Sequence, residues 1–281
     1  MTRSGPIDSS DRGRAGAGRT ALVTGASSGI GCVTAQLLAA KGFDVVVLAR
    51  RRHRLEALCA ELGERWAVHA QPVVADLADA DTPARVVDDL AAQGIRIDFL
   101  VNNAGYAHLG RYDTVPWEQH LQRIRVMGTA TLELTHRLLP AMVEQRWGRV
   151  INVASIAALL TCTPQDVLYA ATKSMIVKFS EGISAQYAEL GIRCLVSLPG
   201  FTDTEIFATS KFENQVQSNP AMRAALMSPE SVARQAYSAV MSDRRLLVHG
   251  WHHRALAVAL LHAPLSVRRG VSIRLANVEH D

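Results

Sequence analysis

The chain has 281 residues, of which 48% are hydrophobic and 20% charged; this is ample material for a core and excludes a disordered chain. A net charge of +4 with only 5% aromatics lacks the basic, aromatic-interleaved stripe of a nucleic-acid binder. The longest apolar stretch, Ala255 to Leu261, falls far short of the ~20 residues that span a bilayer, and no apolar run follows Arg3, Arg12, Arg14 and Arg19 as a secretory signal requires.

Residues 1–18 are Gly, Ser, Arg and Asp without periodicity, and are expected to form a disordered leader. Short β-branched runs then alternate with longer amphipathic stretches. Thr20–Thr24, Val45–Leu48, Val68–Val74, Phe99–Asn102, Val150–Val153, Arg193–Leu198 and Leu246–His249 read as strands. Ile30–Ala40, His53–Leu62, Pro83–Gln93, Trp117–Gln145, Leu168–Leu190 and Pro229–Met241 read as helices. Such alternation predicts an α/β fold, a single Rossmann-type doubly wound parallel sheet of about seven strands with helices on both faces, over residues 19–250. Residues 201–228 leave the pattern and read as a lobe over the sheet edge. Residues 251–281 read as a packing tail or subunit contact, with attachment to a membrane surface the sharper alternative. Cys32, Cys59, Cys162 and Cys194 stand singly, so neither a disulfide framework nor a metal site is expected, and a reducing cytoplasm is the expected compartment.

The first strand runs into Gly25-Ala26-Ser27-Ser28-Gly29-Ile30-Gly31 and an apolar helix. Gly25 permits a tight turn, Gly29 lets backbone N–H groups approach a pyrophosphate, and Gly31 lets helix and strand pack closely. About twenty residues on, an NAD site has an Asp or Glu for the ribose 2′-hydroxyl. Here that place holds Arg50-Arg51-Arg52-His53-Arg54. Cations at a helix start oppose the dipole, and a bound 2′-phosphate would offset that, so NADP(H) is expected over NAD(H).

The fourth strand closes with Asn102-Asn103-Ala104-Gly105 and the fifth with Asn152-Val153-Ala154-Ser155. Tyr169 and Lys173 open a helix four residues apart and share a face. Lysine is rare in this chain, occurring only at Lys41, Lys173, Lys178 and Lys211. Its compact ammonium reaches a ribose hydroxyl and lowers a neighbouring phenol's pKa, tasks a guanidinium fork fits differently.

The Gly25–Gly31 turn, Asp76, Asn102-Asn103-Ala104-Gly105, Ser155, Tyr169-xxx-Lys173 and Pro199-Gly200 with Thr204, in this order, resemble the short-chain dehydrogenase/reductase family. The resemblance implies that Ser155, Tyr169 and Lys173 are catalytic. Tyr169 would be the general acid and base between carbonyl and alcohol, Ser155 would bond the same oxygen, and Lys173 would hold the ribose. It implies that Asp76 and Leu77 meet the adenine, Asn103, Ala104 and Gly105 the adenosine side, and Pro199, Gly200, Thr202 and Thr204 the nicotinamide end. It also implies a small-molecule carbonyl or alcohol substrate and a homodimer or homotetramer paired through Trp117–Gln145 and Leu168–Leu190. One position departs from the family. Where many members carry an Asn that retains a water beside the lysine, this chain has Met127, and no Asn stands between Asn103 and Asn152. A cofactor-binding protein with little turnover, or an enzyme acting on imines or isomerisation, therefore stays open beside the oxidoreductase. The substrate is not readable: Phe201, Ile206, Phe207 and Met227 suggest an apolar wall, but Asn214, Gln215 and Gln217 dilute it.

Overall fold

The computed structural model describes residues 5–108, 110–161, 163, 166–205 and 226–276. Seven strands form one all-parallel sheet in the order β3-β2-β1-β4-β5-β6-β7. They are β1 (Thr20–Thr24), β2 (Asp44–Ala49), β3 (Ala70–Val74), β4 (Ile97–Asn102), β5 (Gly148–Val153), β6 (Ile192–Leu198) and β7 (Leu246–Val248). This is the Rossmann-type sheet expected from the alternation of strand and helix patterns. The expected strand centres hold; the ends move by one or two residues.

Side chains alternate across the pleat, which divides the core into two layers. Ala21, Val23, Val45, Val47, Phe99 and Val101 pack with helices α1 (Gly29–Ala40) and α2 (Arg52–Trp66) and with α7 (Pro229–Met241). Leu22, Val46, Leu48 and Leu100 point the other way, onto α3 (Thr82–Ala92) and α5 (Ala130–Glu144). With both faces covered, the strands read as continuous apolar runs. Strand order reverses between β1 and β4, and the crevice this leaves beyond their C-terminal ends is where such sheets bind ligands.

Trp117–Gln145 is not one helix. The chain forms α4 (Trp117–Ile124), a π-helical turn at Arg125–Thr129, and then α5. A wider turn inserts a residue without interrupting the apolar spacing, so periodicity alone does not reveal it. The second long helix, α6 (Val167–Tyr187), ends in a 3₁₀ turn over Ala188–Leu190.

The expected leader is ordered over its described part. Ile7 is 2% exposed and packs with Leu37, Ala40 and Ala233. Asp11 pairs with Arg234 at 2.6 Å, and the same guanidinium bonds the carbonyls of Gly5 and Pro6. Ile7, the Asp11–Arg234 pair and hydrogen bonds such as that from Arg65 to the Ile7 carbonyl hold the segment, contacts that composition does not show. Residues 251–276 form α8 (Trp251–His262) and α9 (Leu265–Ala276). Most of the lobe expected at 201–228, residues 206–225, lies outside the described residues. Among the described residues, no helix is long and apolar enough to cross a membrane.

Candidate active site

The Gly25–Gly31 turn is built against β4. The Thr24 hydroxyl donates to the carbonyl of Val101 and accepts from the N–H groups of Asn103 and Ala104. Asn103 donates from its side chain to the Thr24 carbonyl at 3.0 Å and to that of Gly25 at 3.4 Å. Asn103, expected to meet a ligand directly, thus fixes the turn while lining the cleft. Gly25 and Gly29 have φ of +66° and +54°, a region L side chains rarely enter. At Gly31 a Cβ would stand 2.4 Å from the Gly25 carbonyl oxygen, so the close approach of helix and turn depends on glycine there.

A cleft of about 380 Å³ opens above this turn. Gly25, Ser27, Ser28, Gly29 and Ile30 form one wall, and Asn103, Ala104 and Gly105 another. Arg50, Arg51, Asp76 and Leu77 close one end, while Thr204 stands over Gly29. Of the residues expected at the cofactor, Gly31, Tyr169, Lys173, Pro199, Gly200 and Thr202 are not in its lining, and neither is Ser155. Gly31 lies behind the turn. Gly200 packs on the ring of His253 in α8, which a Cβ there would meet at 2.1 Å. Thr202 donates to the Gly200 carbonyl, and the Pro199 carbonyl accepts from Ile156.

Among the arginines the structure redistributes the expected roles. Arg50 is 70% exposed, and among the described residues its one ion pair is with Asp76, at 3.6 Å. Arg51 turns inward instead. Its Nε and Nη2 donate to the Ser27 hydroxyl at 3.0 and 2.9 Å, and Nη2 to that of Ser28 at 2.8 Å. Ser28 is the N-cap of α1 but gives no side-chain cap, so the first N–H groups of α1 are left to face the cleft. Arg54 joins Arg51 at the same rim through Glu205.

Ser155, Tyr169 and Lys173 meet beyond β5. Ser155 caps the 3₁₀ turn Ile156–Leu159, accepting from the Ala157 N–H, and is hydrogen-bonded to the Tyr169 phenol. Burial pushes the Tyr169 pKa up, and the Ser155 bond works against that. Lys173 is 5% exposed, donates to the Val153 carbonyl at 2.8 Å, and lies 5.7 Å from the centre of the Tyr169 ring. Burial alone pulls its pKa down to about 8. Both Lys173 and Met127 crowd Gly105, where a Cβ would stand 3.1 Å from Met127 Cγ and 3.6 Å from Lys173 Nζ. Met127 is buried within the π-helical turn. Met127 and Lys173 thus face the same glycine, and the Met127 thioether is only a weak acceptor.

A buried polar ladder fixes α6 relative to the sheet. Asn102 donates to Asn152 at 2.8 Å and to Thr135 at 3.1 Å, and Asn152 donates to Ser180 at 2.9 Å. Asp166 caps α6, accepting from the N–H of Tyr169 itself and from that of His108. Its carboxylate is paired with the buried guanidinium of Arg123. The sequence reading missed both. Asp166, three residues before Tyr169, carried a helix-start signal; Arg123 carried none, since a charge on an amphipathic helix reads as surface. Glu205, Tyr106 and Gln122 also line the cleft unannounced.

A short chain dehydrogenase family model matches residues 19–215. A short chain dehydrogenase of Pseudocercospora fijiensis is 34% identical over 221 residues, covering 75% of this chain and 70% of that protein. A serine 3-dehydrogenase of Rhizobium radiobacter is 37% identical over 202 residues, covering 71% and 78%. A solved short-chain dehydrogenase from Sphingobium yanoikuyae, in complex with NADPH, superposes with a TM-score of 0.75 at 27% identity, covering 94% of this chain and 98% of that one.

Proposed function

We propose, for a chain that belongs to the short-chain dehydrogenase/reductase family, that it interconverts a carbonyl and an alcohol with NADP(H), with Tyr169 as general acid and base. Membership makes it an NAD(P)-dependent oxidoreductase acting between alcohol and carbonyl; the choice of cofactor and the residue roles are our reading. The observation that carries it is the Ser155–Tyr169–Lys173 cluster, a half-buried tyrosine whose phenol is bonded to a hydroxyl and flanked by a buried amine.

The cleft suits a dinucleotide. Its walls are backbone at the Gly turn, α1 presents its start, and Arg51 lies at the rim. When bound, NADP(H) would carry the hydride. The chain's own part is the proton. A raised pKa keeps the Tyr169 phenol protonated at neutral pH, ready to donate to a carbonyl oxygen. Ser155, already bonded to the phenol, can bond the same oxygen. Lys173, held by Val153, would meet the ribose hydroxyls and favour the phenolate left after transfer.

The test is a carbonyl panel run with NADPH and NADH in parallel. NADPH is expected to be preferred, and Arg51→Ala to weaken NADPH about tenfold or more while sparing NADH. A wild-type preference for NADH contradicts the cofactor reading.

Met127 favours a second reading, a protein that binds the cofactor with little turnover. Tight NADPH binding without oxidation across the panel would select it. Under the first reading, Met127→Asn is expected to hold or raise kcat, since an amide can retain a water beside Lys173. Burying that amide destabilises by about 1–3 kcal/mol if it finds no partner, which a denaturant titration reads. A folded variant with sharply lower kcat would show that Met127 has a task of its own.

A further inference from the structure

At the rim of the cleft the chain carries an anion of its own. Glu205 Oε2 accepts from Arg51 Nη1 at 2.8 Å, and Oε1 is paired with Arg54. The rest of the Arg51 fork is taken by Ser27 and Ser28, and Arg54 reaches the Ser27 carbonyl at 3.5 Å. Two cations at the phosphate-binding turn are therefore held by one carboxylate from a distant part of the chain. Those bonds pull the Glu205 pKa down to about 2, so it is charged at neutral pH.

We propose that Glu205 is a specificity-determining residue, an internal carboxylate that competes with the 2′-phosphate of NADP(H) for Arg51 and Arg54 and so narrows the preference for NADPH over NADH. The inference rests on the NADP(H) reading. A phosphate offers more charge and more acceptor oxygens than a carboxylate and displaces it from a planar guanidinium. NADH has no such group, and the Glu205 pairs persist when it binds. The competition is gentle. Glu205, Arg51 and Arg54 are 47%, 38% and 39% exposed, so solvent screens the pairs and the released carboxylate moves into water.

The test uses the full chain and two readouts, the Kd of NADPH and the Kd of NADH, for wild type and Glu205→Gln. The glutamine keeps the side chain's size and a carbonyl acceptor and removes the charge. NADPH is expected to bind at least about threefold more tightly to the variant, with a steeper loss of affinity as salt rises, while NADH is unchanged. The fragments 2′,5′-ADP and 5′-ADP should divide in the same way. Equal weakening of both cofactors would mean that Glu205 only braces Arg51 and the Ser27 turn, and overturns the proposal. Weakening of NADH alone would make Glu205 a ribose acceptor, and overturns it too, as does an unchanged NADPH affinity. The cofactor reading is judged from the wild-type ratio and this inference from the shift between the two proteins, so either can fail visibly without the other.

Discussion

Tyr169→Phe is expected to lower kcat by about 10²–10⁴-fold, the range a positioned proton donor contributes, with the Kd for NADPH within about twofold of wild type. The substitution removes one hydroxyl and keeps the ring beside Lys173, so only the transferable proton and the Ser155 bond are lost. A drop in kcat and kcat/KM together, without a rise in KM, marks an interaction made in the transition state. The pH profile adds a second check. Burial keeps the phenol protonated at neutral pH, and Lys173 loses its charge through about pH 8. Carbonyl reduction should therefore hold its rate below about pH 8 and decline above it. A Phe variant at near-parental rate, with the profile unchanged, would place the acid elsewhere.

The sheet was legible because its central strands bury both faces, leaving β-branched runs such as Val45-Val46-Val47 that need no partner to be recognised. The Gly turn was legible for a different reason: Gly25 and Gly31 answer to backbone geometry, which a sequence records residue by residue. What it did not record is anything decided by a long-range pairing. Glu205 is separated from Arg51 by 154 positions, and nothing local marks it as a partner. The arginine cluster was read as a unit, yet only side-chain direction separates the exposed Arg50 from Arg51, whose fork reaches Ser27 and Ser28. The π-helical turn at Met127 was hidden for the same reason as the ordered N-terminal segment: both are set by how a helix or a single Ile seats on its neighbours.

Lys173→Met is expected to abolish most turnover and weaken the cofactor, and at the same time to make the protein more stable at pH 7. Lys173 is 5% exposed and its pKa falls from 10.5 to about 8 through burial. At roughly 1.4 kcal/mol per unit, keeping that amine charged destabilises the fold by about 3 kcal/mol. Methionine removes this and also the bond to the Val153 carbonyl, worth about 1–2 kcal/mol, so the net gain is on the order of 1 kcal/mol. Both the size and the sign of this difference depend on pH. Between pH 8 and 10.5 the unfolded chain binds the proton that the folded chain has released, so wild-type stability rises with pH there. The advantage of the Met variant should therefore be full below pH 8 and be lost or reversed by pH 10, where less than about 1 kcal/mol of the charge cost remains against the lost Val153 bond, as urea titrations at pH 7 and pH 10 would show. A Met variant less stable at pH 7 would mean that the Val153 bond outweighs the burial of the charge. Under the proposed function a lysine has a chemical reason to stand here in spite of that cost: its amine lies 5.7 Å from the centre of the Tyr169 ring, and a cation at this position would favour the phenolate left after proton transfer.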